Sequence, residues 1–167
     1  GIGGISMSSL AEILKSKGKT ITGSDGVASN VTKALENIGI QVSIGQKAEN
    51  ITPDTDLIVY TAAVREDNPE LMAARASGIE TVDRAALVGM MMLEYKFPLS
   101  VAGTHGKTTT SSLVTEIFLE AKANPTVSIG GILPSIKGNY KVGGEDYFIL
   151  ETCEYCDSFL KFNPHGA

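Results

Sequence analysis

The feature that most constrains this chain is a glycine-rich loop between an apolar run and a helical pattern. The run covers residues 97–102 and predicts a short buried strand. Gly-Thr-His-Gly-Lys-Thr-Thr-Thr follows at 103–110, and apolar residues then recur at helical spacing. A strand, a glycine turn and a helix in that order form the arrangement that wraps a polyphosphate. The loop therefore predicts a nucleotide-phosphate site.

The residue types in the loop suit that chemistry. Gly103 and Gly106 let backbone N–H groups approach phosphate oxygens, and Lys107 offers a positive charge to the outer phosphates. Thr108 presents a hydroxyl suited to a Mg²⁺ ion that bridges those phosphates. The general phosphate-loop pattern has one more glycine, where this chain has Val101, so the loop is a narrower variant.

Composition is that of an ordinary globular protein, with 43% hydrophobic and 20% charged residues among 167. The net charge of -5 argues against a nucleic-acid partner, because phosphate backbones are bound by clustered Lys and Arg. No apolar run reaches the length of a membrane span, and the opening glycine turn is not a signal peptide. These features predict a cytoplasmic protein without membrane insertion.

Cys153 and Cys156 form a Cys-x-x-Cys pair, a pattern shared by redox sites and by half of a zinc site. A zinc site would need His105 and His165 as well, and His105 lies inside the phosphate loop. We therefore expect two reduced, unpaired thiols.

The chain opens with a second glycine-rich turn, Gly1-Ile2-Gly3-Gly4. A helical stretch follows, then a strand near 20–22 that leads into Ser24 and Asp25. This order is typical of a dinucleotide-binding unit, with a turn for the pyrophosphate and an acid at the tip of the second strand. Asp25 lies 24 residues after Gly1, near the spacing at which such an acid reaches a ribose. No strand precedes the turn, so we expect the chain to begin inside its first unit.

Strands and helices alternate up to about residue 95, which predicts one doubly wound parallel sheet. A new strand, loop and helix begin just after residue 96, so we place a domain boundary there. The fold class is α/β, with a Rossmann-like domain at 1–96 and part of a P-loop-type ATP-binding domain at 97–167. In the second domain we expect an apolar helix face, a glycine turn and a polar loop, formed by residues 113–121, Gly130-Gly131 and residues 134–144.

A turn rich in acids follows the predicted strand 147–150 and contains Glu151, Glu154 and Asp157. That strand should lie beside the one that leads into the phosphate loop. A carboxylate at its end could then hold Mg²⁺ on the side opposite Thr108. Among the three acids, Glu154 is the predicted metal ligand.

These motifs together resemble those of the Mur ligases, which build the peptide stem of bacterial peptidoglycan. In the acidic turn many members read Glu-Ala-Asp-Glu-Ser-Asp; this chain keeps Glu151 and Glu154 but has Cys153, Tyr155 and Cys156 at other positions. The opening turn matches except that Ser6 replaces a glycine. The motifs that carry the resemblance are Gly1–Ser8, Gly23–Asp25, Asn68–Glu70, Arg84-Ala85 and Ala102–Thr110.

The resemblance implies an ATP-driven amide-forming ligase that uses Mg²⁺. The lactyl carboxylate of UDP-N-acetylmuramate would attack the γ-phosphate of ATP to give an acyl phosphate, which the amine of L-alanine displaces. Lys107, Thr108 and Glu154 are the implied catalytic residues. The implied ATP contacts are Gly103, Thr104, His105, Gly106, Lys107, Thr108 and Thr109, and the implied UDP-sugar contacts are Gly1, Gly3, Gly4, Ser24, Asp25, Thr61 and Arg84.

In that family the remainder of the ATP domain and a domain that binds the amino acid follow this region. We therefore expect the 167-residue chain to bind the UDP-sugar weakly and not to turn over. Three other functions stay open: the recycling ligase that adds a whole tripeptide to UDP-N-acetylmuramate, an NAD(P)-binding Rossmann protein, and a plain ATP- or GTP-hydrolysing switch.

Overall fold

The computed structural model describes residues 1–152 and residue 165. The chain forms two compact units, residues 1–84 and 85–167. The division falls between Arg84 and Ala85, ahead of the boundary expected at residue 96, because the helix that begins at Arg84 packs with the second unit. The described residues contain no helix both long and apolar enough to cross a bilayer.

The first unit alternates helices and short parallel strands, as predicted. β1 pairs with β2 and β3 pairs with β4, both in parallel register. Its elements are α1 (Ile5–Ser16), β1 (Thr22–Asp25), α2 (Asn30–Asn37), β2 (Gln41–Ile44), a 3-10 turn (Ala48–Asn50), β3 (Leu57–Tyr60), α3 (Pro69–Ala76) and β4 (Glu80–Asp83).

These four strands form two two-stranded sheets, whereas we expected one sheet. The opening residues lie near both pairs: the Ile2 N–H donates to the carbonyl of Ser24 in β1 at 2.9 Å, and Gly1 lines a cavity together with Thr61, just past β3. Among the described residues of this unit, no strand pairs with both β1 and β3.

Local capping explains where two of the helices begin. The Ser29 hydroxyl accepts a hydrogen bond from the Thr32 N–H, and the Thr32 hydroxyl accepts one from the Ser29 N–H, which is a capping box at the start of α2. At the start of α3 the Asn68 side chain accepts from the Glu70 and Leu71 N–H groups. Both helices therefore begin at a residue whose side chain caps the first N–H groups.

The second unit is built on a four-stranded sheet in the order β5, β8, β6, β7. The first three strands are parallel, and β7 is antiparallel to β6. Buried Val127, Ile129, Leu133 and Ile149 form its core beneath α5. The elements are α4 (Arg84–Met92), β5 (Phe97–Val101), α5 (Lys107–Glu120), β6 (Thr126–Leu133), a 3-10 turn (Pro134–Ile136), β7 (Gly138–Lys141) and β8 (Tyr147–Glu151).

Two expectations for this unit are wrong, and a third, the apolar face of α5, holds for Val114 and Phe118, which pack against the core. Gly130-Gly131 lies inside β6 and is not a turn, and the stretch expected to be a polar loop contains β7. On α5, Leu113 and Ile117 are 61% and 66% exposed, while Ser111 and Thr115 are buried. Each of these two buried hydroxyls donates to a carbonyl one turn back in the helix, so burial leaves neither without a partner.

Candidate functional site

The phosphate loop has the predicted form, because it joins the end of β5 directly to the start of α5. Gly106 precedes the helix with a φ of 75°, in the left-handed region. An added Cβ would meet no atom within 4 Å, so this position needs glycine for its backbone conformation and not for space. Glycine also offers no capping side chain. The first N–H groups of α5, which point toward the loop as at any helix N-terminus, therefore have no side-chain cap from Gly106.

Lys107 is the first residue of α5, and its side chain returns over the loop. Its Nζ donates to the Gly103 carbonyl at 2.5 Å. The charge is therefore held beside the loop and the helix N-terminus, two features that favour an anion. The other predicted ATP contacts, Thr104, His105 and Thr109, are exposed on the loop or in the first helical turn.

Glu151 faces this loop from the neighbouring strand. Val101 and Glu151 are partners in the parallel register of β5 and β8, so both strands end at the same edge. The Thr108 hydroxyl donates to Glu151 Oε1 at 2.9 Å. Glu151 Oε2 accepts from the Gly130 N–H at 2.9 Å and from the Ser111 hydroxyl at 3.3 Å. One carboxylate thus links three elements of the unit around Thr108.

This arrangement makes Glu151 a further candidate among the acids of the turn. Glu154 and Asp157 lie outside the described residues, as do Cys153 and Cys156, so the expectations for them remain predictions. Glu151 belongs to the acidic turn, but it is not the acid that the sequence predicts as the metal ligand. A hydroxyl and a carboxylate are hard oxygen donors, and Mg²⁺ is bound in proteins by few such ligands beside waters and phosphates. Residues 1–152 and 165 contain no group of three or more His, Cys, Asp or Glu that could hold a metal.

Sequence reasoning did not identify Ser111 or Gly130 as part of this site. Ser111 had a detectable signal, since it lies three residues after Thr108 and therefore on the same face of α5. Gly130 had no local signal. Its contact depends on the position of β6 beside β8, which spacing in the sequence does not encode.

In the first unit the glycine turn leads into α1, with Gly4 as a cap without a side chain. The Asp25 carboxylate accepts from the Gly3 N–H at 2.9 Å and from the Val27 N–H at 3.2 Å. Asp25 therefore braces the turn, and its contact with a UDP-sugar remains a prediction. Arg84 donates to the Ser6 hydroxyl at 2.9 Å, which brings its guanidinium to the first turn of α1.

Ser24 also has a structural partner. Its hydroxyl donates to Glu70 Oε2 at 2.6 Å, and the Asn50 amide donates to the same oxygen at 3.3 Å. Asn50 donates in addition to the Gly45 carbonyl at 2.9 Å. This network ties the end of β1 to the start of α3.

A cavity of about 390 Å³ lies at the carboxyl ends of these strands, where ligands of open α/β sheets bind. Gly1 and Thr61, two of the residues expected to contact a UDP-sugar, both line it, and that role remains a prediction. The Thr61 hydroxyl also accepts from the Ala63 N–H at 3.2 Å. The lining residues are Gly1, Gln46, Thr61, Ala63, Val64, Arg65, Asp67, Asn68 and Pro69.

Fold and site define an α/β protein with a glycine turn in one unit and a phosphate-type loop, backed by a carboxylate, in the other. A sequence profile described as Mur ligase family, catalytic domain, matches residues 1–96. The UDP-N-acetylmuramate–L-alanine ligases of Agathobacter rectalis and Acetivibrio thermocellus are 57% and 54% identical over 164 and 167 residues. These alignments cover 98% and 100% of this chain, and 36% and 35% of the relatives. The chain belongs to the Mur ligase family.

Solved structures agree with that assignment. UDP-N-acetylmuramate-alanine ligase from Thermotoga maritima has a TM-score of 0.87 at 36% identity, over 98% of this chain and 38% of that one. UDP-N-acetylmuramate:L-alanyl-gamma-D-glutamyl-meso-diaminopimelate ligase from Neisseria meningitides also has a TM-score of 0.87, at 26% identity, over 100% of this chain and 57% of that one. The chain thus spans a little over a third of the length of its curated relatives.

Proposed function

We propose that this chain carries the UDP-sugar-binding and ATP-phosphate-binding parts of a ligase that joins L-alanine to UDP-N-acetylmuramate in peptidoglycan synthesis. The observation that carries this proposal is the contact between Thr108 and Glu151 beside the loop lysine. A triphosphate with bound Mg²⁺ needs hard oxygen ligands for the metal and positive charge at the phosphates. Thr108 and Glu151 would provide the first, and Lys107 at the start of α5 the second. The names of the relatives support the choice of substrates.

The chemistry requires positive charge between two anions. The lactyl carboxylate and the ATP triphosphate repel each other, so the attack on the γ-phosphate needs that repulsion to be offset. Lys107 and the first N–H groups of α5 would hold the phosphates, and they are already oriented before the substrate arrives. Bound Mg²⁺ supplies further charge neutralisation at the phosphates.

Thr108 and Glu151 are the residues that would hold the cation. Both lie at the carboxyl edge of the sheet, and both side chains end in oxygen. Glu154 remains a second candidate from the sequence. We assign residues 1–96 to the domain that would bind the UDP-sugar and residues 97–167 to the first part of the domain that would bind ATP.

In the first unit the pyrophosphate would lie at the glycine turn, against the N-terminus of α1 and near the Arg84 guanidinium. The cavity that contains Gly1 and Thr61 would take the adjoining part of the UDP-sugar. Ser24 and Asp25 would affect UDP-sugar binding indirectly, because their side chains hold the backbone around the site in place. We place the reaction in the cytoplasm, where ATP is available.

The recycling ligase is the alternative that deserves a test, because its Neisseria meningitides representative has the same TM-score as the alanine ligase. The higher identity of the alanine ligases favours the first assignment. An NAD(P)-binding function is weakened by the use of the Asp25 carboxylate within its own turn.

Two measurements test the proposal. Calorimetric titration of the 167-residue chain should detect UDP-N-acetylmuramate and not NADH; the opposite preference would contradict it. A chimera in which residues 1–167 replace the matching segment of the Acetivibrio thermocellus relative should release phosphate in an L-alanine-dependent manner. In that chimera Lys107→Met should abolish release and Lys137→Met, at an exposed lysine of the same unit, should not. The isolated chain should show no L-alanine-dependent release.

A further inference from the structure

Two consecutive glycines in the middle of β6 call for an explanation, because glycine in a strand interior weakens the strand. Neither Gly130 nor Gly131 has a positive φ, so their backbone conformation does not require glycine. Both are inside β6, in the stretch where its register with β7 shifts between Ser128 and Leu133. Such irregularities are common beside functional sites, where they redirect residues.

Each glycine makes room for one of the two proposed cation ligands. A Cβ on Gly130 would lie 2.8 Å from Glu151 Oε1 and 3.0 Å from Oε2. A Cβ on Gly131 would lie 2.8 Å from the Thr108 methyl carbon. The missing side chains therefore leave space that the carboxylate and the threonine occupy.

The Gly130 backbone also fixes the orientation of the carboxylate. Its N–H donates to Glu151 Oε2, and the Ser111 hydroxyl shares its one proton between the same oxygen at 3.3 Å and the Thr108 carbonyl at 3.1 Å. Oε1 accepts from Thr108 instead. Because a carboxylate with one oxygen held by two donors has a defined direction, the other oxygen faces the position where the Thr108 hydroxyl and a cation can share it.

We propose that Gly130 is a positioning residue, which orients Glu151 so that Oε1 can bind the cation. Ser111 contributes to this orientation through its hydrogen bond to Oε2, and Gly131 leaves the space that Thr108 needs. This inference rests on the proposed function. It gives β6 a role in metal binding, in addition to the roles of the loop motif and the acidic turn.

The chain offers a well-matched set of variants. Gly130→Ala displaces the end of a flexible side chain, so the carboxylate can move with little effect on folding. Gly138→Ala adds the same methyl group to the neighbouring strand β7, where the nearest atom is 3.9 Å away. The probe is Mn²⁺ with ATP, titrated into the 167-residue chain and followed by manganese electron paramagnetic resonance.

We expect Gly130→Ala to weaken Mn²⁺ binding by about 10- to 100-fold, the usual effect of losing a group that orients a metal ligand. Gly138→Ala should bind as the parent does, and both variants should keep the parent's urea-unfolding midpoint. A second readout needs no metal: in ¹H–¹⁵N spectra, Glu151→Gln should shift the Gly130 amide proton upfield, because a neutral amide oxygen accepts more weakly than a carboxylate.

Unchanged Mn²⁺ affinity in Gly130→Ala, or an unmoved Gly130 amide resonance in Glu151→Gln, would overturn the inference while the proposed function stood. Absence of Mn²⁺ and ATP binding in the parent and in Gly138→Ala alike would overturn the proposed function and this inference with it.

Discussion

The Thr108 hydroxyl donates a 2.9 Å hydrogen bond to Oε1 of Glu151, 43 residues further along the chain. Parallel pairing makes the contact possible, because Val101 at the end of β5 is level with Glu151 at the end of β8. The loop after β5 and the last residue of β8 therefore share the carboxyl edge of the sheet, where ligands of parallel α/β sheets bind. The proposed cation site follows from this register.

Gly106→Ala should destabilise the second unit. Gly106 has a φ of 75°, and a residue with a Cβ in this left-handed conformation loses about 1–2 kcal/mol of conformational energy. Urea unfolding should show a loss of this size, with weaker ATP binding because the loop relaxes. Gly26→Ala is the control, since it meets no atom within 4 Å and has no positive φ. Equal effects of the two substitutions would contradict the assigned role of Gly106.

Asp25→Ala should destabilise the first unit, and not only weaken binding of the UDP-sugar. Two backbone N–H groups, of Gly3 and Val27, lose their charged acceptor. Hydrogen bonds to charged groups contribute about 1.5–3 kcal/mol each, which sets the scale of the expected loss. Thermal unfolding checks this, and Asp25→Asn, which keeps one acceptor oxygen, should recover part of it. A variant with lower affinity but parental stability would indicate a direct ligand contact instead.

Ile149→Ala should be among the most damaging changes in the second unit. Ile149 is fully buried in β8 and belongs to the core cluster under α5. Truncation of a buried isoleucine costs about 2–5 kcal/mol through lost burial and a residual cavity. Ile132→Ala, at a position 82% exposed in β6, should change the free energy of unfolding by less than about 0.5 kcal/mol. Chemical unfolding of both variants provides the comparison.

The exposed pair of Arg75 and Glu66 predicts a small acid dependence of stability. A hydrogen bond from Arg75 holds the pKa of the Glu66 carboxyl below its ordinary value. A carboxyl whose folded-state pKa is lowered stabilises the fold above its unfolded pKa, and this contribution is lost as the pH falls through the folded pKa.

The parent should therefore unfold at a slightly higher temperature than Glu66→Gln at neutral pH, and the two should converge as the pH falls through the lowered pKa of Glu66. Arg75→Gln should give the same convergence, and the double variant should add nothing further. A constant difference across this pH range would assign the effect to packing.

Local signals in the sequence predicted much of the fold. Ser29 before α2 and Asn68 before α3 cap their helices through contacts within three residues, which a linear sequence displays directly. The apolar run at 147–150 predicted β8, whose three middle residues are buried. The strand, glycine turn and helix around the loop were also predictable, because the three are consecutive in the sequence.

What the sequence could not provide depends on contacts between distant segments. Gly130-Gly131 is typical of a turn, yet the pair lies within β6, where Glu151 and Thr108 occupy the space that larger side chains would need. That Glu151 lies level with Val101, beside the loop, depends on the register of β5 and β8. On α5, Ser111 is buried because its hydroxyl has partners in the site, which overrides the apolar periodicity of the helix.

The most direct test of the central claim is the affinity of the 167-residue chain for Mn²⁺ with ATP, measured for the parent, Thr108→Ala and Glu151→Gln. Because both side chains are proposed to hold one cation, each variant should lose affinity by at least about tenfold, and the double variant should lose less than the product of the two. Parental affinity in Glu151→Gln would contradict the account.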